Sequence, residues 1–255
     1  MITSISTQIA NIITQLKTNI ENHAGMYELK KFGRILKQKP LNFEELKIFM
    51  ATLWAFYRET PNGILSLSLK VGDFWNNIDP WEATAKAAHL LYADVDEVGL
   101  YNLRKGMQKT HHQLFKISAK HFGISVNELL ADKYCLPAGI KMGKACYEYY
   151  RNQSIPVGLG FHLASELTSW PEFKYFYRGI ITHLDAYKFK DKNDEALLLF
   201  KIHTLVEPIH LENSEKIVAY YYSVRSECLQ ELEHGTKIYM DCYYELFKEL
   251  NSKIN

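Results

Sequence analysis

Apolar residues recur at three- and four-residue intervals along most of the chain, and no persistent two-residue alternation competes with them, so the pattern predicts an all-α protein. Ile5, Ile9, Ile12, Ile13 and Leu16 make the first stripe. In LNFEELKIFMATLWAFYRE, Asn42 followed three residues later by Glu45 reads as a capping box. PWEATAKAAHLLYADVDE opens with Pro80, whose fixed φ suits a first helical turn. KTHHQLFKISAKHFG stops at Gly123, and Ser125 with Glu128 caps the run SVNELLAD. Further helical runs are PAGIKMGKACYEYYRN, IPVGLGFHLASELTSW and DEALLLFKIHTLVEPIHLE, and a last one covers residues 214 to 250. The connections are short and free of Pro/Gly/Ser-rich linkers, which favours a single helical domain over 1–255 with about seven or eight helices.

Composition narrows the function. A formal charge of +1 over 255 residues gives no electrostatic case for nucleic acid or an anionic membrane, and 47% hydrophobic residues are ample for a core. No run approaches the roughly 20 apolar residues needed to span a bilayer. The start of the sequence is amphipathic and polar rather than signal-like, and four cysteines without paired spacing read as free thiols, so a cytoplasmic location is expected. Seventeen tyrosines, including the run at 220 to 222, read chiefly as core and interface packing, with homodimerisation through the C-terminal helix as an expectation.

One stripe breaks the apolar rule. His203, Glu207 and His210 are spaced by four and three residues, so they fall within about 60° of one another on one helical face, beside Leu199, Phe200 and Val206. An ionised carboxylate among apolar neighbours costs several kcal/mol unless paired or coordinated. Two imidazoles and a carboxylate suit Fe(II), Mn(II) or Zn(II). Other groups must complete the site. Glu166 follows a glycine-containing start that permits close helix approach, with His162 one turn before it; His111 shares a stripe with Leu114 and Phe115, while His112 is rotated away; Asp94, Asp96 and Glu97 offer further carboxylates.

The order DEVG, HHQLF, LGFHLASE, FKIHTLVEPIH resembles the haem-oxygenase-like di-iron oxidases, a superfamily whose p-aminobenzoate-forming, alkene-forming and N-oxygenating members bind iron and no haem. The resemblance covers roughly residues 40 to 212 and picks Glu97, His111, Glu166, His203, Glu207 and His210 as metal ligands. It implies a haem-oxygenase-like helical bundle, two Fe(II) ions or Mn in their place, and partners in O2, an electron donor and a small organic substrate. Two departures stand out. Glu207 replaces the family's aspartate, and fourteen residues separate Glu97 from His111, about 21 Å if helix were continuous. A break near Gly99 to Asn102, or at Gly106, must fold the segment back; otherwise Glu59 is the reserve carboxylate. Tyr27 and Lys144 are candidates for self-modification, and Arg58, Lys141 and Arg151 for substrate anchors. The rival readings are a metal-independent hydrolase resembling the thiamin-salvage enzymes, with Cys135 or Cys146 as nucleophile, and an interaction module whose His/Glu face meets solvent.

Overall fold

The computed structural model describes residues 2–100, 106–131 and 133–254, apart from the side chains of residues 2–6, 94 and 96. Ile5 of the first stripe, the carboxylates Asp94 and Asp96, and Asn102 of the proposed break therefore lie outside what is described. Eleven α-helices follow in chain order among the described residues: α1 (Ile2–Glu21), α2 (Ala24–Gln38), α3 (Phe43–Tyr57), α4 (Thr60–Asn76), α5 (Pro80–Glu97), α6 (His111–His121), α7 (Val126–Leu130), α8 (Pro137–Arg151), α9 (Ile155–Ile181), α10 (Leu198–Val224) and α11 (Leu229–Lys253). There is no strand among them, and no described helix is long and apolar enough to cross a membrane.

Local signals set most boundaries. Asn42 Oδ1 accepts from Glu45 N at 3.0 Å while Asn42 N donates to Glu45 Oε2 at 2.8 Å, completing the expected box. Ser125 and Glu128 do the same for α7, and Thr110 with Gln113 for α6. Gly123, at φ +79°, closes α6, and Ile124 N reaches back to Ala119 O at 2.9 Å, the long bond of a Schellman turn.

The helix count exceeds seven or eight because α2 and α4 are full helices in segments without a strong start signal. Their stripes are nevertheless regular: Leu29, Phe32, Gly33 and Leu36 in α2, Ile64, Leu67, Ser68, Val71 and Trp75 in α4. The expected boundary at residue 213 is also displaced. α10 runs on to Val224, since Ser214 is wholly buried and Ile217, Val218 and Tyr221 continue its inner face. Packing overrides the polar ENS turn signal there. Pro171 and Pro208 each remove one backbone donor, yet α9 and α10 continue through them.

The core centres on α9, which packs against α2, α8, α10 and α11. Every residue from 156 to 168 is buried, the mark of a helix surrounded on all sides. Close approach depends on two glycines: a Cβ at Gly160 would lie 2.1 Å from Leu232 O, and one at Gly235 would lie 2.1 Å from Val157 O. A cluster of Phe32, Phe49, Phe176 and Phe247 fills one end, with centroid separations of 5.1–6.3 Å. Each such ring contributes roughly 1.5–3 kcal/mol by its burial. Any polar group on the inner half of α9 must therefore be satisfied inside the protein.

Candidate metal centre

α10 turns its polar stripe inward. His203, Glu207 and His210 are only 6%, 3% and 5% exposed, which removes the solvent-facing reading that an interaction module would need. Glu166, 5% exposed, faces them from α9. The donor atoms form two groups. Glu97, His111 and His203 make the first and Glu166, Glu207 and His210 the second, with the donors of each group lying within 4.8 Å of one another. All six residues selected by the resemblance are thus brought together.

Glu97 and His111 meet because the chain reverses between them. Gly99 takes φ +85°, and Leu100 N bonds Val95 O at 2.8 Å, so α5 ends in a Schellman turn. Gln108 N then returns to Gly99 O at 2.7 Å. A Cβ at Gly99 would sit 2.4 Å from Gln108 O, so both the conformation and the space call for glycine. Thr110 starts α6 with His111 as its first residue, leaving His111 Nδ1 3.1 Å from Glu97 Oε2. His203 Nε2 completes the group at 4.0 Å from Glu97 Oε1.

Glu207 joins the two groups. Its Oε1 is 3.8 Å from His203 Nε2 and its Oε2 is 3.6 Å from His210 Nδ1, so one carboxylate spans both. Oε2 is buried with no hydrogen-bond partner. His210 Nδ1 also lies 3.7 Å from Glu166 Oε2. His203 Nδ1 is 2.8 Å from Leu199 O, one turn back on the same helix. A backbone carbonyl only accepts, so Nδ1 carries the proton and Nε2 presents its lone pair to the carboxylates.

The electrostatics of the two groups differ. Burial alone would push the Glu97 carboxyl up, but the adjoining His111 and then His203 hold it down at about 2. Burial pushes Glu166 well up, reinforced by Glu207 and partly offset by His210, and burial likewise raises Glu207. His203 is pushed down to about 3 by burial and by His111. His162, beside Glu166 at 3.5 Å and Tyr150 Oη at 3.2 Å, is held down at about 3 by burial and then His210, so it is a neutral imidazole supporting Glu166.

Several neighbours were not anticipated. Phe173 stacks on His203 with centroids 3.7 Å apart and planes 12° from parallel. A small cavity of about 20 Å3 adjoins the first group, walled by Trp54, Tyr57, His112, Phe115, Phe173 and Leu199 besides its ligands. Glu172, 2% exposed, accepts from Tyr57 Oη and from Tyr243 Oη, the latter at 2.6 Å; burial raises it to about 7 against those two donors. Its setting between Trp170, Phe173 and Phe176 was the sequence signal for a buried acid.

Other candidates lie apart. Glu59 pairs with Arg58 at 3.6 Å and Arg151 at 3.8 Å and belongs to neither group. Lys141 pairs with Glu245 at 2.7 Å. Tyr27 is 62% exposed, Lys144 is exposed on α8, and neither lines the cavity. The Cys146 thiol is raised well above its ordinary value by burial, then by Cys242 and Glu59, which suits a core thiol rather than a nucleophile.

No protein-family profile matches the chain, and no curated protein is detectably similar to it in sequence. Solved structures are similar in fold. A CADD-like protein of unknown function from Nostoc punctiforme superposes with a TM-score of 0.68 at 16% identity, covering 97% of this chain and 96% of that one. A TenA homolog from Pseudomonas syringae pv. tomato gives 0.65 at 12% identity, with 98% and 93% covered. A domain of unknown function with a heme oxygenase-like fold from Shewanella denitrificans gives 0.59 at 12%, with 99% and 93% covered. The chain therefore has the haem-oxygenase-like all-α fold, and each of its two His/Glu groups could hold a metal ion.

Proposed function

We infer that the six clustered residues hold two ferrous ions and that the protein is an O2-dependent oxidase or oxygenase of a small organic substrate. The observation that carries this reading is the pair of adjoining Glu/His groups, five of whose six residues are buried, joined through Glu207. Burying Glu166 and Glu207 in a helical core, with Glu97 partly buried beside them, is costly without a cation, and one Glu207 oxygen has no hydrogen-bond partner. The donor set fits iron: three imidazoles and three carboxylates, too oxygen-rich for an ordinary structural zinc site. Mn(II) would satisfy the same donors. Bound iron would supply O2 activation, with electrons from an external donor.

The residues divide the remaining work. His203, fixed by Leu199 O, and His111, held by Glu97, keep their rings aimed at the centre. Glu207 spans the two positions. Phe173, Phe115 and Leu199 exclude water from the cavity, while Tyr57 and Glu172 place an exchangeable proton at its edge. All four cysteines are free and buried, in keeping with a reducing cytoplasm. A homodimer remains part of the proposal.

The test is anaerobic reconstitution with Fe(II), metal analysis, and O2 uptake with an added reductant. About two irons per chain with O2-dependent absorbance changes are expected. Full-length folded protein that takes up no iron, or iron-loaded protein inert to O2 with reductant present, would sink the reading.

A further inference from the structure

Two pairs of polar residues, each spaced by four, face one another beside the second metal group. His162 and Glu166 stand one turn apart on α9, and His210 and Ser214 one turn apart on α10, so each helix carries its pair on one face. The two helices run antiparallel and in step. Phe176 meets Phe200 with centroids 6.4 Å apart, Phe173 stacks on His203, and Glu166 Oε2 lies 3.7 Å from His210 Nδ1. Each step back along α9 from one of these pairs to the next is matched by an equal step forward along α10. One more turn on each helix brings His162 opposite Ser214.

Both residues are 0% exposed. His162 Nε2 and Ser214 Oγ are also both buried with no hydrogen-bond partner among the described residues. Buried polar atoms are rarely left so, and a hydroxyl facing an imidazole nitrogen can satisfy it. Ser214 Oγ needs only to turn about its Cα–Cβ bond, and no hydrogen bond of Oγ is lost when it turns.

Glu166 sets the direction of the bonds. Its Oε2 faces His210, and its Oε1 lies 3.5 Å from His162 Nδ1. A Glu166 that serves a cation is a carboxylate and only accepts, so Nδ1 carries the proton and Nε2 the lone pair. Tyr150 Oη, 3.2 Å from Nδ1, can donate or accept and imposes neither. Nε2 then needs a donor. We propose that Ser214 and His162 are positioning residues of the second metal group, a role that rests on the metal reading above. Ser214 Oγ–H donates to His162 Nε2, and His162 Nδ1–H donates to Glu166 Oε1, which leaves Oε2 turned to His210.

The experiment uses full-length protein with isotope-labelled histidine, loaded with Zn(II) as a diamagnetic stand-in for Fe(II). Long-range proton–nitrogen correlation reads the tautomer, and His162→Asn assigns the ring. His162 is expected with its proton on Nδ1, and Ser214→Ala is expected to shift the Nε2 resonance. A proton on Nε2, or a ring unmoved by Ser214→Ala, overturns the proposal. Affinity for Zn(II), by chelator competition, is read in a His111→Ala background, where the second group alone is complete. There His162→Leu should weaken binding about 10- to 100-fold, while His162→Asn, whose amide N–H stands in for Nδ1–H, should stay within about three-fold of the parent. Ser214→Ala should weaken it about five-fold, the scale of one ordinary hydrogen bond. Equal losses for Asn and Leu would mean that His162 only fills space, and would overturn its role. A Ser214→Ala protein that melts earlier but binds Zn(II) unchanged overturns the role of Ser214. Should His162→Leu fail to fold, the tautomer and Ser214→Ala decide. Wild-type protein that takes up neither Zn(II) nor Fe(II) defeats the metal reading and the positioning role with it. Iron loading and O2 uptake alongside an Nε2–H ring would defeat the hydrogen-bond chain and leave the oxidase reading standing.

Discussion

The two metal groups share a carboxylate and a helix but are built on opposite principles. Glu166, Glu207 and His210 come from α9 and α10, two 27-residue helices packed side by side in the core. Glu97, His111 and His203 come from three helices, and two of these meet only because Gly99 reverses the chain. The charge balance is opposed as well. Glu97 sits between two imidazoles and stays ionised down to about 2, whereas Glu166 and Glu207 share His210 and both are pushed up by burial. A cation entering the second group must displace protons; one entering the first finds its carboxylate already charged. Two core helices packed side by side thus carry the site with the higher proton cost, and three helices, two of them brought together at the Gly99 turn, carry the one that is electrostatically ready.

The largest effect is expected at the shared residue. Glu207→Ala should remove both metals, leaving well under one iron per chain by elemental analysis; retention of two irons would show that Glu207 joins nothing. His111→Ala should be half as severe, losing the first iron and keeping the second. That variant also sharpens the charge contrast. Measured by calorimetry in buffers of different ionisation enthalpy, it should release about one proton more per metal than His210→Ala, which keeps only the first group. Equal release would erase the distinction.

Gly99→Ala comes next. The positive φ and the 2.4 Å approach to Gln108 O should cost about 1–3 kcal/mol of stability, and metal occupancy should fall at the first group only. An equal loss at both would mean that the turn supports the whole bundle. The smallest effect concerns Glu172. Raised to about 7, it keeps its proton in the fold over a range where the unfolded chain has lost it, so its contribution falls as pH rises from about 4.5 to 7. Glu172→Gln should therefore gain roughly 1–3 kcal/mol relative to wild type on going from pH 5 to pH 8 in urea denaturation. A pH-independent difference would remove Glu172 from the set of buried titrating acids.

What could be read from the chain follows the same division. The α10 stripe was legible because four- and three-residue spacing is a property of one helix, and the capping boxes at Asn42 and Ser125 because they are written within four residues. The break at Gly99 was legible only as a condition: Glu97 and His111 could not meet across a continuous helix, so either the chain broke near Gly99 to Asn102 or at Gly106, or Glu59 took the place of Glu97. What escaped depends on contacts between distant segments. Phe173 on His203, Tyr57 and Tyr243 on Glu172, and the edge-to-face contact of Trp54 with His112 each join residues that no local period relates. The extension of α10 past residue 213 escaped for that reason too, because burial of Ser214 against its neighbours outweighs a polar turn signal.

His203 is oriented by the carbonyl of Leu199, an atom every residue type possesses. Its aim is therefore written into the helix rather than into a partner side chain. Position 199 can drift among helix-forming apolar residues without turning the imidazole, whereas His111 and Glu97 must change together or not at all. Over generations two contacts within this one group would have unequal freedom: the first tolerates neighbours that wander, the second binds its members into a joint inheritance.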